Sequence, residues 1–450
     1  MKRRRIQRGA YPSSTGAITF LIFAALGLSS CSLPQSPRTP LPEPAARGLT
    51  LADAGGNLEI ALDQPLSGDA LAAIAVLTNP DLRALRAREG VAEAQVFAAG
   101  LYPDPSFSLG IDLPLNGVGV VTALAGALGI DLAAWARRPA AVRGARANLE
   151  AVRLDIAWAE WLTGEQARLL AVRVAYLERI RGLSGELRRL AEDELSRALV
   201  AVTRGDLPAA ELVARRLAAS DAADRDRGAE SQLTTARLEL NRVLGVDPAE
   251  EVAVAAPPPP RTAIPPAAEL FQRAVAGRAD LGALRSGYES SAAELDAALL
   301  SKYPLPSLDL NAARDTGAIN TLGPSVQLTL PLWNRGRGDL AVAQATQAQL
   351  RAEYAARLES LRADLAAARG ALEIAQRQQA AVARSLEPLL PQAAAAQRAA
   401  ERGDLARTAA TATRMAALDQ QIVAAGLEQT VAELDIALEI AVGERLETLP

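Results

Sequence analysis

Histidine is absent from this 450-residue chain, and cysteine occurs once, at Cys31. The first absence removes the commonest general base and the commonest transition-metal ligand. The second excludes a disulfide framework and a cysteine metal site. Aromatic residues make up only 3% of a sequence that is 50% apolar, so its core is built mostly from Ala, Leu and Val. With 22% charged residues, that composition suits long, closely packed helices. A net charge of −4 gives no basic footprint for nucleic acid. There is also no nucleophile elbow, phosphate-binding glycine loop or cluster of metal ligands, so the expectation is a protein that is not an enzyme and needs no metal.

The N-terminus reads as an export signal over residues 1–30. Lys2, Arg3, Arg4, Arg5 and Arg8 give a basic start, and Ala17 to Leu28 give an apolar core. That core is too short for a stable membrane span and has signal-peptide flanks. Leu28-Ser29-Ser30-Cys31 resembles the bacterial lipobox, which implies that Cys31 carries a covalent lipid and becomes the mature N-terminus. The competing reading is an ordinary signal peptide with an incidental thiol. Residues 31–65, with prolines from Pro34 to Pro44, then form a lipid-anchored tether.

Beyond the tether the chain consists of two copies of one pattern. Asp81-Leu82-Arg83-Ala84-Leu85-Arg86 returns as Asp280-Leu281-Gly282-Ala283-Leu284-Arg285. Tyr102-Pro103-Asp104-Pro105-Ser106 returns as Tyr303-Pro304-Leu305-Pro306-Ser307. Arg204-Gly205-Asp206-Leu207 returns unchanged as Arg402-Gly403-Asp404-Leu405, and Gly245 has its counterpart in Gly443. The offsets stay between 198 and 201 residues, so the landmarks keep register over half a chain. This is a duplicated architectural unit rather than a short solenoid module. The repeats span 66–255 and 267–450, with a Pro-rich linker at 256–266.

Within the first repeat, Asn79 to Gly100 is expected to be helical. Ser106 to Leu113 alternates strictly, with Phe107, Leu109, Ile111 and Leu113 on one side. A second alternating stretch ends in Leu128, Ile130 and Leu132. No proline falls between Pro139 and Pro208, which leaves Ala140 to Thr203 as helix, roughly 96 Å long at 1.5 Å per residue. Val142, Ala145, Leu149, Val152, Ile156 and Ala159 give it a coiled-coil-like stripe. A turn at Gly205-Asp206 and a second helix to Gly245 complete the unit. The second repeat has the same plan: a helix to about Leu300, then strands near Ser307 to Asn311 and Ser325 to Leu330. A long helix comes next, striped by Leu350, Tyr354, Leu358, Leu361 and Leu365. Pro388 and Pro391 predict a kink or short break in it.

The expected fold is mainly α with a small β part. Strands with one apolar and one polar face are the signature of a membrane β-barrel. Four strands cannot close a barrel that holds a lumen, and their open edges would be unsatisfied in lipid. They must be shared among copies of the chain. The ordered set of lipobox, helix, strand pair, long helix, glycine turn and helix, all repeated, resembles the TolC-type outer-membrane factors of efflux systems. Asn79-Pro80-Asp81-Leu82 together with Tyr102 to Ser106 looks most like the branch serving heavy-metal and related resistance-nodulation-division pumps. Leu330-Pro331-Leu332-Trp333-Asn334-Arg335-Gly336 resembles that family's strand-to-helix junction. The resemblance implies a homotrimer with a twelve-stranded β-barrel in the outer membrane, continued by an α-barrel of long helices across the periplasm. It further implies a passive duct for small molecules or metal ions, served by a periplasmic adaptor and an inner-membrane pump.

Arg204, Gly205, Asp206 and Leu207, with Arg402, Gly403, Asp404 and Leu405, lie at the helix ends farthest from the strands, where the resemblance puts the adaptor. The glycines permit a tight turn, and Asp206 and Asp404 are expected to cap the helices after them. The plainer reading is a capped turn without a partner. Asp112, Asp309, Asn311 and Gln327 fall on polar strand faces and so on the lumen side. The two carboxylates there either favour cations or only hydrate the face. Two other function classes compete with the duct. A lipid-anchored periplasmic adaptor has one hairpin and lacks duplicated strand pairs; a lipid-anchored coiled-coil protein would leave apolar strand faces exposed. Tyr102, Phe107, Tyr303 and Trp333 are the aromatics near the strands, so any interfacial girdle is expected to be thin.

Overall fold

Among the described residues, twelve elements succeed one another in two sets of six. The first set is α1 (Gly68–Thr78), α2 (Pro80–Gly100), β1 (Ser106–Asp112), β2 (Ala123–Asp131), α3 (Leu132–Arg204) and α4 (Ala209–Leu244). The second is α5 (Ala267–Gly277), α6 (Ala279–Leu300), β3 (Pro306–Arg314), β4 (Asn320–Leu328), α7 (Arg337–Glu401) and α8 (Arg407–Val442). The computed structural model describes Thr50 and residues 64–446. The export signal, Cys31 and nearly all of the tether therefore lie outside the described residues.

The two long helices contain 73 and 65 residues, about 110 and 98 Å at the standard rise. Both stripes read from the sequence are buried or half-buried, with Ile156, Leu361 and Leu365 the deepest. Helix α3 starts earlier than expected and runs through Pro139. Its true start is fixed by Asp131, whose Oδ1 accepts from the N–H groups of Ala133 (2.8 Å) and Ala134 (3.1 Å). Helix α7 runs through Pro388 and Pro391 without the short break that was one of the two expected outcomes. Both prolines are exposed, as are Arg384 and Glu387, whose carbonyls lose their helical donors, so water meets the loss. Leu386, Leu389 and Leu390 stay half-buried beside them and keep the helix docked.

Strands β1 to β4 form one antiparallel sheet in sequence order. β4 starts at Asn320, earlier than expected, and stops short of Leu330. The reason is the preceding turn. Asp315 Oδ1 accepts from Gly317 N (2.8 Å) and Ile319 N (2.9 Å), which folds the chain back at once.

The same junction occurs in each repeat. Asn79 Oδ1 caps α2 by accepting from Asp81 N and Leu82 N, while its Nδ2 donates to Val243 O at 2.9 Å. Gly245, at φ +67°, closes α4 directly beneath, and a Cβ there would lie 2.8 Å from Thr78 O. In the second repeat Arg278 takes the place of Asn79 and donates to Ala441 O at 2.8 Å. Its guanidinium also stacks over Trp158 of α3, 4.4 Å from the ring centre. At the ends of the first repeat, Leu66 pairs with the linker-proximal chain through Ala253 O (2.8 Å) and Ala255 N (2.9 Å).

A cluster of ion pairs joins the two repeats under the linker. Arg168 of α3 donates to Glu165 (2.6 Å) and to Glu439 of α8 (2.7 Å). Linker residue Arg261 donates to Glu439 (2.6 Å) and also to Asp435. Burial pushes the carboxyls of Glu165 and Asp435 above the ordinary range, only partly offset by these guanidiniums. Asp280 is the opposite case. Burial opposes its charge, but the Arg278 bond and charge, the Arg357 charge and the Leu281 N–H together hold its pKa below the usual value.

Gly205, at φ +82°, has open space where a Cβ would go, so Gly205→Ala should cost only the left-handed penalty of about 1–2 kcal/mol. Gly245→Ala should cost clearly more, because it adds a clash with backbone; denaturant unfolding followed by helical circular dichroism measures both. Because the folded pKa of Asp280 is depressed, its stabilisation is present above the unfolded value of about 3.9 and is lost as pH falls further. The melting-temperature gap between the native protein and Asp280→Asn should therefore be wide at neutral pH and shrink in acid.

Candidate functional site

The register carries the strand alternation across the whole sheet. Phe107 lies opposite Leu128, and Leu128 opposite Leu310. Ile130 lies opposite Leu308, and Leu308 opposite Val326. Directly opposed residues share a face, so these side chains, with Leu109, Ile111, Leu124, Leu322 and Leu328, make one apolar surface. Every one of them is exposed, Phe107 to 72% and Leu322 to 74%. A surface of this kind is a place for lipid or for another protein, not for water. The outer edges of β1 and β4 have no strand partner among the described residues.

The other face is polar or small. Asp131, Ser307 and Gln327 share one row, and Ser106, Gly129, Asp309 and Ser325 the next. A Cβ on Gly129 would collide with Asp309 Oδ1 and Ser106 Oγ, so the glycine is what lets those two groups lean together. Asn311 Nδ2 donates to Ser325 Oγ at 2.6 Å. The four residues read from the sequence as lumen-facing do share this face. Asp112, however, sits at the hairpin end, six residues along β1 from the Ser106 row and so about 20 Å from Asp309. Asp112, Asp131 and Asp309 give the face its charge; the strands' sole cation, Arg314, lies opposite Leu124 on the apolar face.

At the far ends of the long helices the two turns are near copies. Gly205 N donates to Val202 O and Asp206 N to Ala201 O; Gly403 N donates to Ala400 O and Asp404 N to Ala399 O. This is the Schellman arrangement, with Gly205 at φ +82° and Gly403 at φ +84°. The expected capping by Asp206 and Asp404 is not what happens. The next helices start after Pro208 and Ala406, and neither receives a side-chain cap. The aspartates close the preceding helices through their backbone N–H groups, and Asp404 Oδ2 instead accepts from Arg402 Nε at 2.9 Å. Arg204, Asp206, Arg402 and Asp404 are exposed, and Leu207 and Leu405 are half-buried beneath them.

One aromatic group escaped the sequence reading. Trp135 packs on Tyr102 with ring centres 5.3 Å apart, and the Arg138 guanidinium sits 4.2 Å over Tyr102 while donating to Gly100 O. It braces the point where helix becomes strand. Trp135 and Arg138 share a face of α3 by their spacing, but a helix taken to begin at Ala140 hides that relation.

No protein-family model matches the sequence, and no curated protein matches it. Solved structures do. A membrane protein from Pseudomonas aeruginosa aligns at 18% identity and a TM-score of 0.68, over 92% of this chain and 100% of that one. The CmeC outer membrane channel of Campylobacter jejuni aligns at 15% identity and a TM-score of 0.66, over 91% and 94%. The open state of the MtrE outer membrane channel of Neisseria gonorrhoeae aligns at 17% and 0.65, over 91% and 97%. The fold is that of TolC-type outer-membrane channels. In lipid vesicles, Leu310→Lys on the apolar face should cost about 2–4 kcal/mol of unfolding stability. Asn311→Lys, its neighbour on the polar face, should cost far less, and reversed costs would show the faces to be misassigned.

Proposed function

We propose that this chain is the outer-membrane channel of a tripartite efflux system. In this reading it is a passive duct that takes small molecules or metal ions from a periplasmic adaptor and an inner-membrane pump to the outside. The observation that carries the reading is the sheet: a register-aligned, exposed apolar face with two edges unpaired among the described residues, set on two very long helical hairpins. In lipid, every edge N–H and C=O must be met within protein. Three copies joined β1 to β4 meet them all and close a twelve-stranded barrel wide enough for a lumen. The long helices, about 100 Å each by their residue counts, then continue the duct across the periplasm with quasi-sixfold symmetry. The likeness to named outer-membrane channels supports this over a lipid-anchored adaptor or a coiled-coil protein, either of which would leave the apolar face in water.

Lipid on Cys31 would anchor the mature chain in the outer membrane. The resemblance of Asn79 to Leu82 and of Tyr102 to Ser106 favours a pump of the resistance-nodulation-division type. Asp112 and Asp309 would line the lumen and favour cations over anions. The reading assigns the chain no catalysis and no cofactor beyond the lipid. The six tip turns of a trimer form the rim that meets the adaptor, and their exposed arginines and aspartates supply the polar contacts.

Gly205→Val combined with Gly403→Val strains both turns without crowding, since open space surrounds each glycine. The expected result is SDS-resistant trimers in the outer-membrane fraction with efflux-dependent resistance lost. Undiminished efflux would remove the tips from the contact, and a soluble monomer after delipidation of the native protein would sink the channel itself.

A further inference from the structure

Between β1 and β2 the chain runs Leu113-Pro114-Leu115-Asn116-Gly117-Val118-Gly119-Val120-Val121-Thr122, ten residues without a charge. Leu115 and Val118 are 98% and 106% exposed, more than any other large apolar side chain among the described residues. The matching connection between β3 and β4 differs. It is five residues long, 315–319, and Asp315 ties it down by accepting from Gly317 N and Ile319 N. The longer loop is seated at its base on that tight turn, through Val121 N donating to Thr316 O at 3.0 Å.

Lipid tails do not cover this loop. Nine residues of strand, tilted as barrel strands are, stand about 23 Å tall, roughly the height of the apolar band of an outer-membrane barrel. The loop begins where that band ends. Its apolar tip is left with water or with other copies of itself. On the trimeric-duct reading, twelve strands about 4.8 Å apart and tilted about 40° place the barrel wall about 12 Å from the axis. A ten-residue loop projects about 16 Å, and a five-residue loop about 8 Å. The β1–β2 loop reaches the axis and the β3–β4 turn does not.

We propose that the three β1–β2 loops of a trimer meet over the outer mouth of the barrel, Leu115 and Val118 toward one another, and form an apolar gate that closes by dewetting. The occupant of each exposed tip is the same tip of the other two copies. This rests on the duct reading and adds a threefold constriction to a quasi-sixfold tunnel. Hydrated ions are held back at rest, and cargo passes by parting the loops, which carry no hydrogen-bonded turn like that of Asp315.

Cysteine substitution tests it in the mature membrane-inserted protein, where Cys31 is the only native cysteine and, lipidated as proposed, would offer no free thiol. Leu115→Cys should give disulfide-linked dimers on mild oxidation of membranes, reversed by reductant, while Thr316→Cys on the short turn should not. In planar bilayers, Leu115→Asp with Val118→Asp should raise single-channel conductance several-fold over the native channel. SDS-resistant trimers that neither cross-link at Leu115→Cys nor change conductance would overturn the gate and leave the duct standing. Reaction of Leu115→Cys with a lipid-confined maleimide, without cross-linking, would place the loop in the membrane and also overturn it. Absence of trimers altogether would instead fail the duct reading.

Discussion

Register in the four-stranded sheet is the constraint on which the rest of the molecule depends. Side chains alternate with a period of two, so a slip of one residue between β2 and β3 would put Asp309 and Asn311 among Leu128 and Ile130. The register holds because the second hairpin is fixed locally by Asp315, because Val121 N seats the first hairpin's loop on Thr316 O of that turn, and because Gly129 leaves room for Asp309 and Ser106 on the polar side. The β2–β3 pairing has no local turn to set it. It is the seam between the two repeats, and the helices must deliver the strands to it in phase. The braces at the sheet base, Tyr102 with Trp135 and Arg138, stand where that delivery is made.

Duplication has preserved backbone devices more faithfully than side chains. Both repeats seat their α1–α2 or α5–α6 junction on the C-terminus of the last helix, and both send a side-chain donor to a carbonyl there. In one the donor is the Asn79 amide and in the other the Arg278 guanidinium. The substitution lets the second junction reach Trp158 in the first repeat. The ion cluster of Glu165, Arg168, Arg261, Asp435 and Glu439 does the same under the linker, beside an apolar contact of Val172 with Ala432 and Ile436 that also joins the halves. Breaking such a network by removing one partner leaves an uncompensated buried charge, which is why these contacts hold the repeats in one relation.

Much of this was legible in the chain. Alternation marked the strands, proline-free length and stripes marked the long helices, and paired glycines marked the turns. The errors share one cause: a residue's preference is local, but what satisfies its groups is not. Asp206 and Asp404 have the side chain of a helix cap, yet the Schellman turn uses their backbone N–H groups and leaves the side chains outside. Pro139, Pro388 and Pro391 carry the mark of helix ends, yet α3 and α7 run through all three, and at Pro388 and Pro391 the exposed surface lets a lost hydrogen bond go to water. Trp135 and Arg138 were invisible because the start of their helix was set by Asp131, a capping residue that also ends a strand.

The sequence by itself determined the duplication, the element order, the two faces of each strand and the positions of the glycine turns, because each of these is written in spacing along one segment. Tertiary structure alone decided which strand pairs with which, that all four apolar faces fall on one side, and that Asp112 and Asp309 stand at different depths. It also decided that the β1–β2 loop is long and bare while the β3–β4 turn is tied down. Apart from the Asp315 turn, which is local, these depend on hydrogen bonds between residues far apart in the chain, and no local pattern records such a partner.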